Sequence, residues 1–451
     1  MFLKNLFSPF TLPIYFFGLA IIIGAILLNQ PFSLAGGNIS WIDALFTAVS
    51  ATCVTGLVVV DTGTVFSRAG QTIILALIQV GALGIMTFAS LFFYLWRRRV
   101  SLADRIAVGQ NLLHNPAFHL GHFLTHMVLW SVLIEVSGAL LLHLIDPEGF
   151  TPYSALFHSI SAFCNAGFSL YADSLMRFQD NVGVNLVIMA LIILGGLGFS
   201  VLVELEDLVH QRLTGGERRR LSWYARIVLQ TTLWLIVIGW IFIYITEFLG
   251  ERSLLDPLAR LLSSLFQSVT CRTAGFNTLD ISQMTNASLL FMMMLMIIGG
   301  SPGSAAGGIK TTTFRTLLAF AISQIKDRRQ TVIGRHAVDL PTVNKALTLV
   351  VFAVTIIGTT TLILTITEGG GTPHAQASGN LFMDILFETI SAFATVGLST
   401  GLTPNLSTQG KIVISMLMFI GRIGPIVFLS AVQSLREEPY YAWPERNMLV
   451  G

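Results

Sequence analysis

The chain has 451 residues, of which 53% are hydrophobic and 11% charged, against about 25% charged in soluble proteins. This excludes one large soluble core and predicts a polytopic membrane protein. A net charge of +2 gives no basis for a nucleic-acid partner, and three cysteines are too few and odd in number for a disulfide framework.

A membrane-crossing helix takes about 20 apolar residues. The first candidate covers residues 11–28; no small-residue cleavage site follows it, so it reads as a retained helix rather than a signal peptide. A short helix at 42–51 and a span at 72–96 follow. The same order recurs as 123–145, 153–163 and 184–203, as 225–248, 258–269 and 287–298, and as 346–366, 382–393 and 412–435. Each unit is span, short helix, glycine turn, span, and the short helices are too short to cross. The units occupy 1–100, 101–215, 216–335 and 336–438, with 439–451 as a tail. Two spans per unit return the chain to its starting side, so the units run parallel, whereas inverted repeats need an odd number. The expected fold is all-α: eight transmembrane helices and four re-entrant pore helices around a pseudo-fourfold pore.

Basic residues lie between units: Arg97, Arg98, Arg99 and Arg105, then Arg212, Arg218, Arg219 and Arg220, then Lys326, Arg328, Arg329 and Arg335. By the positive-inside rule these loops and both termini face the cytoplasm of an inner (plasma) membrane. The outer loops carry Asp61, Asp146, Glu148, Asp173, Glu247, Glu251, Asp256 and Glu368; simple solvation is favoured over a cation-attracting vestibule.

Each short helix ends in a small-small-Gly-apolar turn: Val54-Thr55-Gly56, Asn165-Ala166-Gly167, Thr273-Ala274-Gly275 and Thr395-Val396-Gly397. A dehydrated cation needs oxygens in place of water, and rings of backbone carbonyls supply them without net charge. Glycine allows the backbone angles that aim successive carbonyls at one axis, and the short helix points its negative end there. Asn165, Thr55, Thr273 and Thr395 are expected to brace the turns by hydrogen bonds. Cys53, Cys164 and Cys271 precede the turns as small apolar packing groups.

The four turns are similar to those of the Trk/Ktr/HKT superfamily of cation-translocating subunits, over nearly the whole chain. The resemblance implies a filter with K+ at the backbone carbonyls of Gly56, Gly167, Gly275 and Gly397. Glycine at all four positions implies potassium preference; serine at the first accompanies sodium selectivity in that superfamily. The turns lack Gly-Tyr-Gly, so weaker discrimination against sodium is expected. The third unit departs: Phe266 is one residue nearer its glycine than Phe46, Phe157 and Phe387 are to theirs. Arg272 there is expected to form an outer salt bridge rather than place a charge in the filter.

The outgoing spans also match, as Gly81-Ala-Leu-Gly84, Gly195-Gly-Leu-Gly198 and Gly421-Arg-Ile-Gly424, where small residues let helices approach closely. The third unit expands this place to Gly299-Gly300-Ser301-Pro302-Gly303-Ser304-Ala305-Ala306-Gly307-Gly308. That composition cannot hold a helix, and irregular backbone at membrane depth must face protein or water. The stretch resembles the intramembrane gate loop of Ktr and Trk subunits. Gly299-x-Ser301-x-Gly303 mimics a nucleophile elbow but lacks the preceding strand, and Ile309 between Gly308 and Lys310 spoils a phosphate loop. An intramembrane serine protease would pair Ser301 with His158, which lies on a short helix near the outer side. Arg422 is costly inside a span and therefore a functional candidate, as a positive barrier or a partner of the loop. Lys310 is expected to snorkel.

The chain begins directly with the first unit, which is similar to the Ktr B-type subunit. That resemblance implies a homodimer in the lipid bilayer on a cytoplasmic ring of nucleotide-binding (KtrA-like) subunits, with ATP or ADP bound only by the ring. K+ is then the transported ion, and a role for Na+ as activator or coupled ion stays open. The basic loops would touch the ring or anionic lipid, and the aromatic tail would dock at a dimer contact. A rocking secondary transporter of a small solute is the competing expectation.

Overall fold

The computed structural model describes residues 12–96, 120–214, 220–248, 256–370 and 380–424. Positions 97–99, 105, 218, 219, 251 and the tail 439–451 lie outside the described residues, as do both termini.

The described chain is mostly helical: α1 Leu12–Leu28, α2 Trp41–Thr52, α3 Arg68–Trp96, α4 Leu120–Ile145, α5 Pro152–Phe163, α6 Val182–Leu197 and α7 Phe199–Thr214. There follow α8 Trp223–Phe248, α9 Pro257–Thr270, α10 Asn286–Ile297, α11 Thr311–Ile325, α12 Leu340–Gly369, α13 Leu381–Ala394 and α14 Thr408–Ile423. By length and composition, residues 125–145 within α4, α8 and α12 are each long and apolar enough to cross a membrane. Residues 13–28 within α1, 68–84 within α3, and α10 are shorter and apolar.

The short helices start where local chemistry satisfies their free N–H groups. Ser40 caps α2 by accepting from Asp43 N, and Thr151 caps α5 by accepting from Ser154 N. Proline opens α5 and α9, where its missing N–H costs nothing. Phe46, Phe157, Phe266 and Phe387 are all fully buried.

Packing runs in a circuit. α3 packs on α5, α6 on α9, α10 on α13, and α14 returns to α2. The return is fastened by Lys411 Nζ to Asp43 Oδ1 at 2.7 Å. The matched glycines explain the closeness within segments: a Cβ on Gly81, Gly195 or Gly421 would sit 2.0 Å from Thr52 O, 1.8 Å from Phe163 O or 2.0 Å from Phe393 O.

Three departures from the expected elements have local causes. The expected span 184–203 breaks at Gly198, whose φ of +85° disfavours any side chain, and α7 leaves α6 at 108°. Gly424, with φ +88°, ends α14 in the same backbone conformation, inside the expected span 412–435. An unexpected hairpin, β1 Thr331–Ile333 with antiparallel β2 His336–Val338, lies where the boundary between the third and fourth units was expected. Trp223 Nε1 holds it by donating to Ile333 O at 3.2 Å.

Several of the acids expected on outer loops are structural rather than merely solvated. Glu247, near the end of α8, accepts from Thr285 N at 2.9 Å and Thr285 Oγ1 at 2.8 Å, at the start of α10. Glu368, near the end of α12, accepts from Ser407 N at 2.9 Å and Ser407 Oγ at 2.6 Å, at the start of α14. Asp61 accepts from Gly63 N, Asp146 from Gly149 N, and Asp173 pairs with Arg177. Replacing Glu247 or Glu368 by alanine should each cost about 1–3 kcal/mol, additively because the two helix pairs are separate. Thermal unfolding in detergent, with the single and double variants, measures this; unchanged midpoints would show that these acids contribute nothing.

Candidate functional site

The four glycine turns meet. A Cβ on Gly56 would lie 2.4 Å from Ala166 O, one on Gly167 2.8 Å from Ala274 O, one on Gly275 2.5 Å from Val396 O, and one on Gly397 2.0 Å from Thr55 O. Each glycine therefore abuts the carbonyl of the residue preceding the next glycine, and the fourth turn closes on the first. The backbone has the same form in each. Val54, Asn165, Thr273 and Thr395 have φ of +55°, +59°, +72° and +51°, and the glycines two residues on have φ of +93°, +70°, +80° and +90°. The residue between has negative φ in every turn. The sign of φ thus alternates along each turn, and lining an ion path with oxygen requires successive carbonyls on one side.

Hydroxyls of the short helices hold the turns. Gly56 N donates to Ser50 Oγ and Gly397 N to Ser391 Oγ, both at 3.1 Å. Ser161 Oγ donates to Phe168 O at 2.8 Å and Thr270 Oγ1 to Phe276 O at 2.6 Å. The expected brace by threonines is wrong: Thr55, Thr273 and Thr395 have buried hydroxyls with no partner. Asn165 does brace, its amide donating to Ala162 O at 3.0 Å and Ile192 O at 3.2 Å. Ser50, Ser161, Thr270 and Ser391 each lie four residues after the matched phenylalanine, a regularity that could have located them. The third-unit offset is thus a shorter turn. Thr55 N, Ala166 N and Val396 N bond to carbonyls five residues back, whereas Ala274 N bonds to Thr270 O, four back.

Below turns three and four lies the stretch 299–310. It is tied at its neck by Gly299 N to Ile309 O at 2.8 Å and Ile309 N to Ile297 O at 3.1 Å. It docks on α6 through Ser301 N to Gly196 O at 3.0 Å and Ala305 N to Gly195 O at 3.2 Å. Gly307 touches Thr395: a Cβ there would be 2.1 Å from its Oγ1. Arg422, 3% exposed, donates Nη1 to Ala305 O and Nη2 to Gly81 O at 2.8 Å. It is a partner of the loop. Lys310 does not snorkel; its Nζ donates to Ala306 O at 2.5 Å. Arg272 forms no outer salt bridge. It is buried, and its Nη2 donates to Gly299 O at 3.3 Å.

His158 is spent on structure. Its Nδ1 meets Ser154 O at 2.8 Å, Leu170 N donates to its Nε2 at 3.3 Å, and it stacks on Tyr171. Ser301 Oγ pairs instead with Thr311 Oγ1 at 3.1 Å, so the protease pair does not form. In the outer loop, burial raises the Tyr171 phenol above its usual range, against the opposing hydrogen bond of Ser154. The sequence reading passed over Glu135, a buried carboxylate on α4 that accepts from Gln79 Nε2 at 2.7 Å. An acid in the middle of an apolar span was signal enough. Cys53, Cys164 and Cys271 are buried and unoxidised. Among the described residues, no group of three or more His, Cys, Asp and Glu side chains is placed to hold a metal ion.

A helical membrane protein with turns of bare carbonyls meeting at its centre belongs to the class that transports ions. The chain is a member of the TrkH family, described as "Cation transport protein", whose match covers residues 10–436. It is 42% identical to the Ktr system potassium uptake protein B of Bacillus subtilis, over 98% of this chain and 96% of that one. It is 37% identical to the potassium/sodium uptake protein NtpJ of Enterococcus hirae, over 98% and 97%. The crystal structure of the potassium transporter TrkH from Vibrio parahaemolyticus matches with a TM-score of 0.74 at 19% identity, covering 95% of this chain and 86% of that one. The fold is shared, and the chain is a membrane transporter rather than an enzyme.

Ser50→Ala and Ser391→Ala should each orphan a buried N–H and cost about 1–3 kcal/mol. Thr395→Val removes a buried hydroxyl that bonds to nothing and should leave stability unchanged or raise it, by at most about 1–3 kcal/mol. Thermal unfolding of the three variants checks the contrast; equal losses would contradict the assignment of the braces.

Proposed function

We propose that the chain is the potassium-translocating pore subunit of a bacterial potassium uptake system. The closed contact of Gly56, Gly167, Gly275 and Gly397 carries this proposal. Four chain segments that each present a glycine and a carbonyl to the next leave no space for side chains where they meet. Peptide oxygens are then the available ligands for a dehydrated cation, and the C-terminal ends of α2, α5, α9 and α13 add favourable potential. The circuit of helix packing supports reading the chain as four fused helix–pore-helix–helix units around a pseudo-fourfold axis. K+ is held in this reading at the carbonyls of the four turns. The relatives support potassium: one is named for potassium uptake and one for potassium and sodium.

Gly299 to Gly308 form the gate. Their burial beneath turns three and four, and the handful of hydrogen bonds that hold them to α6, α7, α8 and Arg422, support a loop that obstructs the path and can withdraw. Arg422 anchors it and adds positive charge on the path. The chain works as a homodimer on a nucleotide-binding cytoplasmic ring, in line with the naming of its relative within a Ktr system. Arg212, Arg220, Lys326, Arg328, Arg329 and Arg335 mark the cytoplasmic side by the positive-inside rule.

Gly275→Ser adds a side chain where φ is +80° and a backbone oxygen is 2.5 Å away. It should lower the potassium-over-sodium flux ratio in liposomes by roughly tenfold, about 1.4 kcal/mol of lost discrimination; an unchanged ratio would remove the filter assignment. Deleting 304–308 should raise passive rubidium flux, and a closed or unaltered flux would remove the gate assignment.

A further inference from the structure

Arg272 is 7% exposed and lies immediately before the third turn. Neither the Asp173–Arg177 nor the Asp43–Lys411 ion pair includes it. Its Nη2 donates to Gly299 O, the first residue of the loop, at a long 3.3 Å. Its Nε and Nη1 are buried and have no acceptor. Arg272 lines a narrow cavity together with Ile192, Ile193, Gly196, Thr232 and Ile236, and the Thr232 hydroxyl is likewise buried and unpartnered.

The same cavity wall includes Gly196, whose carbonyl is occupied by the loop through Ser301 N at 3.0 Å. If the loop leaves, Gly196 O loses its donor and Gly299 O loses its seat against the third turn. Two unpaired donors and one newly unpaired acceptor would then border one cavity. A buried polar group left unpaired is costly, and the cost is removed when donor and acceptor meet.

We propose that Arg272 positions the intramembrane loop by exchanging carbonyl partners, Gly299 O with the loop in place and Gly196 O once the loop withdraws. This inference rests on the loop being a gate. With the loop seated, Arg272 makes one long bond and keeps two donors unpaired; with the loop withdrawn, a donor gains Gly196 O, which Ser301 N has vacated. The exchange therefore lowers the cost of withdrawal, and Arg272 acts on transport through the loop without touching the ion. Bistable elements of this kind shift with small differences in paired contacts.

The test uses the full chain in liposomes, with rubidium as the probe ion. Arg272→Met fills the cavity with an apolar chain and removes every donor. It should lower flux by roughly fivefold and leave the potassium-over-sodium ratio as it was. A rise in flux would make Arg272 a latch, and a changed ratio would make it a filter charge; either result overturns the inference. A second readout is independent of flux. The three native cysteines are buried, so Ser304→Cys gives one thiol on the loop whose labelling rate reports withdrawal. Arg272→Met should slow that labelling, and equal or faster labelling overturns the proposal. Deletion of 304–308 separates the two levels. If the deletion raises flux and makes Arg272→Met silent, both stand. If it raises flux while Arg272→Met has no effect even in the intact chain, the exchange alone falls. If it fails to raise flux, the gate falls and the exchange with it.

Discussion

The absence of a side chain at four positions is the constraint on which the centre of this protein depends. Gly56, Gly167, Gly275 and Gly397 each lie against the backbone of the next turn, at separations that no Cβ could occupy. The circuit is closed, so no turn can relax alone. The residue two before each glycine also takes a left-handed conformation, which costs about 1–3 kcal/mol for a residue with a side chain. Hydroxyls from Ser50, Ser161, Thr270 and Ser391 and backbone bonds back to the short helices offset that cost. Rigidity at the centre follows from this over-determination.

Away from the centre the dominant problem is polarity inside an apolar layer. Backbone that leaves a helix there must find partners in protein. The stretch 299–310 does so by bonding its own neck and by using the carbonyls of Gly195 and Gly196, which are free because α6 ends at the Gly198 bend. The guanidinium groups of Arg272 and Arg422 donate to carbonyls of this stretch rather than to carboxylates. Charge and irregular backbone thus partly satisfy each other, while Nε of both arginines and Nη1 of Arg272 keep no partner. Such contacts are few and individually modest, so the same stretch can be ordered and still displaceable.

Much of this was legible because glycine is a backbone signal. Matched glycines in the turns and in the outgoing helices are required by contacts of 1.8–2.8 Å, and such a requirement leaves a mark in any single sequence. The one-residue offset at Phe266 likewise appears as a shorter turn with a tighter backbone bond. Side-chain partners were less legible. Threonines beside the turns looked like braces, yet the serines and threonine one helical turn after the phenylalanines do the work, because only those hydroxyls reach the turn from the helix end. Glu247 and Glu368 looked like solvated acids and instead bind the starts of α10 and α14, a role fixed by where two helix ends meet.

The sequence by itself determined the class, a mostly helical chain with several apolar helices, the glycines, and the stretch that could not be helical. These follow from hydropathy and backbone sterics, which act locally and repeat along the chain. Only the tertiary structure decided that the fourth turn closes on the first, that α6 bends at Gly198, and which carbonyls Arg272 and Arg422 hold. Those outcomes depend on distances between segments 27, 117 or 341 residues apart in the chain, and no local preference encodes a distance.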